Sequence, residues 1–489
     1  MKIKDKSVKI LYAMCDINSI ARDGIISDEY IEQPDKLNQQ KLCEIKIIQP
    51  FFSEIDSSDY KLSKLKESRE IYIENKKYNI EFYKTIHKTG IEIILIKNIE
   101  LFCNYSEHVR RDKEDPENIL PIAFFNHAVI QYLLCDIYQP DILNCCGWET
   151  GLIPLLKNEI FVSTKKLKKM QVSFSVFNLS SQGVYDQKFF SRLAVPWSFF
   201  NVQELEFWGR FSFLKSGLLF SDAIILLGFS KKDNIFDEDF SCGLGGVMAN
   251  CYKKISYVPI GVDKRWNPIY DPYLLHNYTL NTISEKKKNK DKFLKKIKFH
   301  CKDKDKPLVA IFGYLTPFQE DINFEKFFDV ISELEANFVI IGETNQKIFE
   351  ICNDCNDQLL DNCHFVSSYD NCFIHQMLGS VDMILLPSYN KFFPFIHLYA
   401  LQYGTVSIIS KYFANSFAVS DFQKNQSIGN GFIINGKSLY AVLAKLISAI
   451  NMVYFENKYI KIIKNMSACN LEWNMTLDKL HKIFFKLKR

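Results

Sequence analysis

A regular alternation of short apolar runs with longer segments of helical periodicity limits the possible folds more than any other feature. In the first part of the chain, the strand-like runs are residues 8–13, 45–48, 91–96, 141–143 and 172–176. Segments with helical spacing, such as residues 122–138, lie between them. This alternation is typical of a mostly parallel sheet covered by helices. We therefore expect an α/β protein with doubly wound sheets, whose ligands bind at the carboxyl ends of the strands.

A lysine-rich tract interrupts this alternation. Residues 285–306 hold eleven lysines and four acidic residues, a net of +7, although the whole 489-residue chain carries only +4. Strand-like runs then restart at residues 308–313, 338–342, 383–387 and 406–409. We expect an N-terminal domain over residues 1–280, a solvated lysine-rich linker over 281–306 and a C-terminal domain over 307–489. Two doubly wound domains that face each other would form a cleft.

Composition excludes several classes of protein. Hydrophobic residues make up 47% and charged residues 24%, as in ordinary globular proteins. One lysine-rich tract does not make the basic face that a nucleic-acid binder presents. No apolar stretch reaches the ~18–20 residues of a membrane span, and no secretory signal opens the chain. The 14 irregularly spaced cysteines favour free thiols, so we expect a cytoplasmic protein in a reducing compartment.

Several motifs follow one another in a recognisable order. Residues 140–150 read PDILNCCGWET, residues 174–183 read FSVFNLSSQG, and residues 213–217 read FLKSG. In the second half, residues 398–405 read LYALQYGT and residues 429–432 read GNGF. In this order they resemble PDIIHCHDWHT, FTIHNLAYQG, FLKGG, LYALRYGT and GTGF of the bacterial glycogen synthases and plant starch synthases. The resemblance covers nearly the whole chain.

The resemblance implies a GT-B type glycosyltransferase, in which two Rossmann-like domains face a cleft and the last helix crosses back onto the first domain. Members transfer glucose from a nucleotide sugar, ADP-glucose in bacteria, to the 4-hydroxyl at the end of an α-1,4-glucan. They retain the anomeric configuration and need no metal ion or other cofactor. Nucleotide sugar and α-glucan are therefore the partners that the resemblance implies. Cations and helix N-termini of the C-terminal domain hold the diphosphate, where they stabilise the charged leaving group.

The chain departs from the family pattern where this chemistry takes place. The His and Asp of the family's HDW fall on Cys146 and Gly147, and the His of IHNL falls on Phe177. A family arginine falls on Tyr314, and a family glutamate falls on Lys391. Each lost hydrogen bond to a charged group is worth ~1.5–3 kcal/mol. We therefore assign no catalytic residue and expect a non-catalytic glucan-binding or scaffold protein.

Other positions in or near the matched motifs could still hold a nucleotide sugar or a glucan. These candidates are Arg22, Gly24, Trp148, Asn178, Gln182, Gly183, Lys215, Lys391 and His397. The alternative function is an active, divergent, retaining α-1,4-glucan glucosyltransferase that uses ADP-glucose. In that case Arg22, Lys215 and Lys391 would replace the missing cations.

Two cysteine patterns have ordinary explanations. Cys352 and Cys355 form a CxxC that zinc could use together with downstream Cys and His residues such as His375. The loose spacing favours free thiols and no metal site. Cys145 and Cys146 could supply a nucleophile, but no histidine neighbours them in the motif to act as its base.

Overall fold

The computed structural model divides the chain into two units. Residues Met1–Pro259 and Asn474–Arg489 form the first unit, and residues Ile260–Trp473 form the second. The structure describes residues 7–15, 28–41, 43–52, 61–87, 89–103, 115–229, 234–238, 240–313, 324–342, 361–386, 395–411, 418–436 and 438–489.

The strands of the two units follow one another along the chain. The first unit has β1 (Val8–Met14), β2 (Cys43–Pro50), β3 (Ser63–Ile73), β4 (Lys76–Ile86), β5 (Glu92–Lys97), β6 (Ile142–Cys146), β7 (Gln171–Val176), β8 (Val184–Asp186), β9 (Glu206–Phe207), β10 (Arg210–Ser212), β11 (Ala223–Leu227) and β12 (Ile255–Val258). The second unit has β13 (Leu308–Phe312), β14 (Asn337–Ile341), β15 (Cys363–Val366), β16 (Met383–Leu386), β17 (Val406–Ser410) and β18 (Gly431–Ile434).

The α-helices alternate with these strands. They are α1 (Asp28–Gln39), α2 (Ile119–Leu134), α3 (Leu152–Leu155), α4 (Phe213–Phe220), α5 (Gly245–Cys251), α6 (Lys286–Lys296), α7 (Phe324–Ser332), α8 (Asn371–Leu378), α9 (Ile396–Gln402), α10 (Leu439–Val453), α11 (Glu456–Ser467) and α12 (Trp473–Lys488). Among the described residues, no single helix is long and apolar enough to span a membrane. Helices α10 and α11 together reach that length and hydropathy, but the chain bends by 103° between them.

The first unit is built on a mostly parallel sheet. Its strand order is β12-β11-β7-β6-β1-β2-β5-β4-β3, and the strands from β12 through β5 all pair in parallel. The central strands are apolar on both faces, because both faces are covered: Ile10, Leu11 and Tyr12 of β1 are all fully buried. The α/β class predicted from the alternation is therefore confirmed, and β1 and β6–β7 lie at the centre of the sheet.

A long antiparallel hairpin extends one edge of this sheet. Strands β3 and β4 are joined by Glu74 and Asn75, both of which have positive φ (48° and 64°). A two-residue turn with two left-handed residues matches the twist of the strands that it connects. The alternation did not predict this hairpin, because most side chains of β3 are exposed and only Ile71 and Ile73 are buried.

The last helix belongs to the first unit. Phe484 of α12 packs edge-to-face on Tyr12 with ring centroids 6.3 Å apart. Lys488 Nζ lies 2.9 Å from Asp141 Oδ2, and Thr476 Oγ1 donates to the Pro259 carbonyl at 2.9 Å. These contacts tie the last helix to the first sheet, with Thr476 at the edge where β12 ends and Lys488 at the edge where β6 begins.

The second unit has a fully parallel sheet of order β15-β14-β13-β16-β17-β18. Strand β13 is central, with Leu308 opposite Asn337 of β14 and Val309 opposite Met383 of β16. All residues of β13 are buried, as the run of β-branched and aromatic residues predicts. Two Rossmann-like sheets thus form the cores of the two units.

The lysine-rich tract differs from the predicted linker, because it folds as part of the second unit. Thr279 caps a short 3-10 turn (Leu280–Glu285) that leads directly into α6. Phe293 and Leu294 of α6 are 1% exposed each, and Lys286 and Lys290 are buried as well. Lysine stems are long and apolar, so a lysine can be buried when carbonyl or carboxylate oxygens receive its ammonium group.

The boundary between the units also differs from the prediction. The structure places it after Pro259, so residues 260–280 belong to the second unit instead of to a first domain ending at residue 280. Tyr278, for example, donates from its hydroxyl to the Tyr403 carbonyl at 2.8 Å. The free thiols include Cys43, Cys135, Cys145, Cys146, Cys251, Cys301, Cys372 and Cys469.

Candidate functional site

The matched motifs lie at the carboxyl edge of the first sheet. Strand β6 ends at Cys146, and Phe177 follows directly after β7. The two strands are parallel neighbours, with Cys146 opposite Ser175, so Cys146 and Phe177 lie at the same edge. Each is only 6% exposed. A buried thiol and a buried phenyl ring therefore stand where the resembled family has imidazole rings.

The thiols at this edge are inert. Burial raises the pKa of both Cys145 and Cys146 well above that of a free thiol. Asn144 Nδ2 donates to Cys146 Sγ at 3.3 Å, and Asn144 Oδ1 accepts from Ser175 Oγ at 2.9 Å. Because a thiol is nucleophilic only as the thiolate, this pair does not act as a nucleophile at neutral pH.

Glu149 is an acidic residue that the motif comparison missed. Gly147 follows Cys146 at φ +78°, and a Cβ on Gly147 would lie 2.7 Å from Glu149 Oε2. The 3-10 turn Trp148–Thr150 brings the Glu149 carboxylate back toward Gly147. It therefore lies beside the position from which the family's Asp side chain would start. The available signal was the change of WHT to WET two residues after a lost acid.

Trp148 and Gly183 form a packing pair, and this differs from their predicted role in binding a sugar. Trp148 is 5% exposed, and its ring lies 5.8 Å from that of Phe213 and 6.2 Å from that of Tyr185. Gly183 has φ +58°, and a Cβ there would lie 2.0 Å from Trp148 Cε3. The pair therefore fixes the turn that carries Glu149 and does not offer a free aromatic face.

Asn178 and Gln182 hold their own loop together. Asn178 Oδ1 accepts from the Ser180 backbone N–H at 2.8 Å, which closes a tight turn after β7. Gln182 is buried and donates from Nε2 to the Leu179 and Cys242 carbonyls, at 2.9 Å each. These contacts give both residues a structural role in the described part of the chain.

Lys215 is engaged by the protein, which differs from its predicted use as a replacement cation. Its Nζ donates to the Val202 and Glu206 carbonyls at 2.6 Å each, and the residue is 5% exposed. Burial lowers the pKa of Lys215 from its ordinary value. The ammonium group thus anchors the segment that leads into β9, and no phosphate is needed to balance it.

The segment that Lys215 anchors presents an exposed aromatic hairpin tip. Strands β9 and β10 are joined by Trp208 and Gly209, with φ of +54° and +76°. Trp208 is 77% exposed and lies beside Gly243, whose Cβ position is 3.2 Å from Trp208 Nε1. A bulky residue at positive φ is a conformational outlier. The motif comparison missed Trp208, although a Trp-Gly pair between two short apolar runs was a visible turn signal.

Four predicted residues, Arg22, Gly24, Tyr314 and Lys391, lie outside the described residues. Their roles remain predictions. His397, the remaining candidate, is fully buried in α9 of the second unit.

A buried polar cluster lies inside the second unit. Tyr403 donates from its hydroxyl to Asp271 Oδ2, and His375 Nδ1 lies 3.0 Å from that same oxygen. The indole of Trp266 stacks on the His375 ring at 3.8 Å. Burial, with the nearby Asp271 charge, raises the pKa of Tyr403, so the phenol stays protonated. The structure thus gives His375 a packing role in place of a metal role.

Within the described ranges, no group of three or more His, Cys, Asp or Glu residues is placed to hold a metal ion. Cys352 and Cys355, the CxxC of the zinc alternative, lie outside those ranges.

Two family models match the chain. The starch synthase catalytic domain matches residues 9–250, and the domain of the group 1 glycosyl transferases matches residues 285–466. The glycogen synthase of Pseudothermotoga lettingae is 24% identical over 487 residues, 98% of each chain. Glycogen synthase 2 of Geobacter metallireducens is 22% identical over 481 residues, again 98% of each chain.

Solved structures agree with these matches in fold. The catalytic domain of Starch Synthase IV from Arabidopsis thaliana, bound to ADP and acarbose, has a TM-score of 0.80 at 18% identity, covering 99% of this chain and 100% of that one. WaaG, a glycosyltransferase involved in lipopolysaccharide biosynthesis, has a TM-score of 0.53 at 10% identity, covering 97% and 99%. The predicted GT-B type architecture, two α/β domains with parallel-sheet cores, is therefore confirmed.

Proposed function

Because this chain belongs to the glycosyltransferase family of the glycogen and starch synthases, we propose that it has lost glucosyl transfer and serves as a glucan-binding or scaffold protein. The observation that supports this proposal is the burial of Cys146 and Phe177 at the carboxyl edge of the first sheet. Both side chains are buried and neither can replace an imidazole, since a phenyl ring has no hydrogen-bonding atom and a buried thiol is a weak donor.

The sequence carries two further substitutions in its second half. Tyr314 stands for a family arginine and Lys391 for a family glutamate, so one cation is absent and one charge is reversed. Transition-state stabilisation by preorganised charges is usually the largest single contribution to such catalysis. Two lost contacts of ~1.5–3 kcal/mol each lower a rate by several powers of ten.

Glucan binding is supported by the hairpin tip. Trp208 offers an exposed flat ring, and sugar rings have apolar faces that pack on such surfaces. Its positive φ costs of order 1–3 kcal/mol, and strain of this kind is retained mainly at functional sites. Lys215 holds the hairpin in place through the Val202 and Glu206 carbonyls.

One observation favours an active, divergent transferase instead. The Glu149 carboxylate lies beside Gly147, so an acid is present near the place of the lost family Asp. In that case Glu149 would orient the sugar by accepting hydrogen bonds from its hydroxyl groups, and ADP-glucose would be the donor. This second candidate predicts that the chain transfers glucose from ADP-glucose to a glucan.

We expect no glucosyl transfer from radiolabelled ADP-glucose to glycogen by the purified full chain. ADP-glucose binding should be weaker than about 1 mM, since the remaining contacts must offset the entropy of association alone. Scintillation counting of washed glycogen measures the transfer, and calorimetry measures the binding.

The control pair for this assay is Glu149→Gln and Glu159→Gln, because Glu159 is exposed on the segment just after α3. Transfer by the natural chain that Glu149→Gln abolishes and Glu159→Gln preserves would establish the divergent enzyme. Transfer that both variants preserve would also contradict the non-catalytic proposal.

We expect the full chain to be retarded in a native gel that contains glycogen, without any nucleotide. Trp208→Ala should weaken this retention about tenfold or more, because a central aromatic contact contributes about 2 kcal/mol or more. Tyr72→Ala is the matched control, since Tyr72 is 64% exposed on β3 of the same unit. Equal mobility with and without glycogen would exclude glucan and leave the scaffold role.

A further inference from the structure

A pocket lies wholly within the second unit, at the opposite edge of its sheet from the expected donor site. Its volume is about 850 Å³. Pro307 and Asp382 line it, and these residues directly precede β13 and β16. It therefore opens at the amino ends of the central strands, whereas nucleotides in such sheets bind at the carboxyl ends. The proposed function leaves this pocket without a role.

The pocket is rich in lysine. Five lysines and three acidic residues line it: Lys286, Lys287, Lys290, Lys304 and Lys464, with Asp305, Asp382 and Glu456. Lys287 pairs with Asp305 at 2.6 Å, and Lys290 pairs with Asp382 at 3.1 Å. Lys304 and Lys464 make no ion pair or hydrogen bond through their ammonium groups to any residue that the structure describes. Glu456 opposes one of these two cations, so together the three residues leave the pocket a net charge of +1.

Lys286 adds a third cation at the buried wall. It is 3% exposed, and its Nζ donates to the Tyr403 carbonyl at 3.1 Å and to Thr405 Oγ1 at 2.5 Å. An ammonium group has three N–H donors, so one remains beyond these two described acceptors. Burial lowers the pKa of Lys286 to about 7, because the desolvation of its charge outweighs the attraction of Asp382. An anion in the pocket would add to that attraction.

The rest of the pocket wall is mostly apolar and aromatic, so the ring of a small ligand can pack on it. Tyr454 and Tyr459, together with Ile460 and Ile463, line the pocket beside the lysines. Tyr459 makes no hydrogen bond through its hydroxyl to a described residue, whereas Tyr454 donates to the Glu335 carbonyl at 2.6 Å. A mixed wall of this kind, apolar with a few convergent polar groups, is typical of small-molecule sites of this volume.

We propose that this pocket binds a small phosphate ester with a sugar or nucleoside body. The phosphate would contact Lys286, Lys304 and Lys464, because a dianion with several acceptor oxygens matches a pocket wall with an excess of ammonium groups. The ring would pack on Tyr459 and Ile460. Lys286 also contacts the carbonyl of Tyr403, whose hydroxyl bonds to Asp271, so the ligand would stabilise the core of the second unit.

The test is calorimetric titration of the full chain with inorganic phosphate, a hexose monophosphate and a nucleoside monophosphate in separate arms. We expect one of the two esters to bind in the millimolar range or tighter, and at least about tenfold tighter than inorganic phosphate, because only the esters use the ring wall. The double variant Lys304→Glu/Lys464→Glu should weaken ester binding by at least about tenfold, through loss of two charged contacts.

The matched control is Lys295→Glu/Lys461→Glu. Lys461 is exposed on α11, which also carries Lys464, Lys295 is exposed on α6, which also carries Lys286, and neither control residue lines the pocket. The control makes the same change in net charge, so it should leave ester binding unchanged. Absence of ester binding, equal affinity for phosphate and esters, or equal loss in both double variants would each overturn the proposal. The outcome does not depend on glucosyl transfer, which neither double variant addresses.

Discussion

Replacing Asp271 by alanine is expected to destabilise the second unit by about 3–5 kcal/mol. Asp271 is 1% exposed and accepts three hydrogen bonds: from the Tyr403 hydroxyl, from His375 Nδ1 and from the Tyr273 backbone N–H at 2.8 Å. Without the carboxylate, the Tyr403 hydroxyl and His375 Nδ1 lose their shared acceptor and retain only the 3.0 Å contact with each other. Each unsatisfied buried donor costs about 1–3 kcal/mol, and the cavity adds to this.

Differential scanning calorimetry of the full chain measures this effect. In a domain of this size, 1 kcal/mol corresponds to roughly 2–4 °C, so the second unit should melt roughly 6–20 °C lower. Asp271→Asn should lose less, because the amide oxygen still accepts from Tyr403. Asp329→Ala, on an exposed position of α7, is the surface control and should shift the transition by no more than about 1–2 °C. Equal shifts for Asp271→Ala and Asp329→Ala would show that the cluster contributes nothing.

The central strands were predictable because their sequence preferences agree with their burial. Strand β1 and strand β13 are runs of β-branched and aromatic residues, and both are buried on two faces in the structure. For such strands, local propensity and tertiary environment favour the same conformation. The order of the family motifs then indicated which strand ends form the candidate site.

The β3–β4 hairpin was not predictable in the same way. Its strands are rich in Lys and Glu, and on β3 the buried residues are only Ile71 and Ile73, next to the turn. Pairing along eleven residues of each strand stabilises this edge more than propensity does. Charged side chains on an edge strand also hinder pairing with other chains, which gives this composition a physical reason.

The lysine-rich tract is a second segment whose structure local composition did not predict. Runs of charged residues are usually solvated, so the composition of this tract predicted a linker. Lys286 is buried because its acceptors, Tyr403 O and Thr405 Oγ1, lie 117 and 119 residues further along the chain. Such a partner appears only when the fold brings distant segments together, so local composition could not indicate it.

In the candidate site, the roles of single residues were also not predictable from the sequence motifs. Lys215 matches a family lysine in sequence, yet its partners are carbonyl groups of a neighbouring segment. Glu149 matches no family acid, yet its carboxylate lies beside Gly147. A motif aligns positions along the chain, whereas chemistry depends on where the side-chain atoms lie. A turn of three residues is enough to move a side chain away from the place that its aligned position suggests.

Replacing Gly183 by alanine is expected to cost about 2–5 kcal/mol in the first unit. Gly183 has φ +58°, a conformation that costs a residue with a Cβ about 1–2 kcal/mol. The new Cβ would also lie 2.0 Å from Trp148 Cε3, which no real contact tolerates, so the indole must move. Moving a buried indole disturbs its packing on Phe213 and Tyr185 and adds about 1–3 kcal/mol.

Gly209→Ala separates these two contributions. Gly209 has φ +76° in the same unit, and a Cβ there would meet nothing within 4 Å. It should therefore lose only the conformational part, about 1–2 kcal/mol, measured by the same calorimetric transition. Because Trp148 neighbours Glu149 on one 3-10 turn, Gly183→Ala should also displace the Glu149 carboxylate from Gly147, and Gly209→Ala should not. Equal losses in the two variants would mean that the Trp148 ring yields freely, and the turn would then not be held in place by this packing.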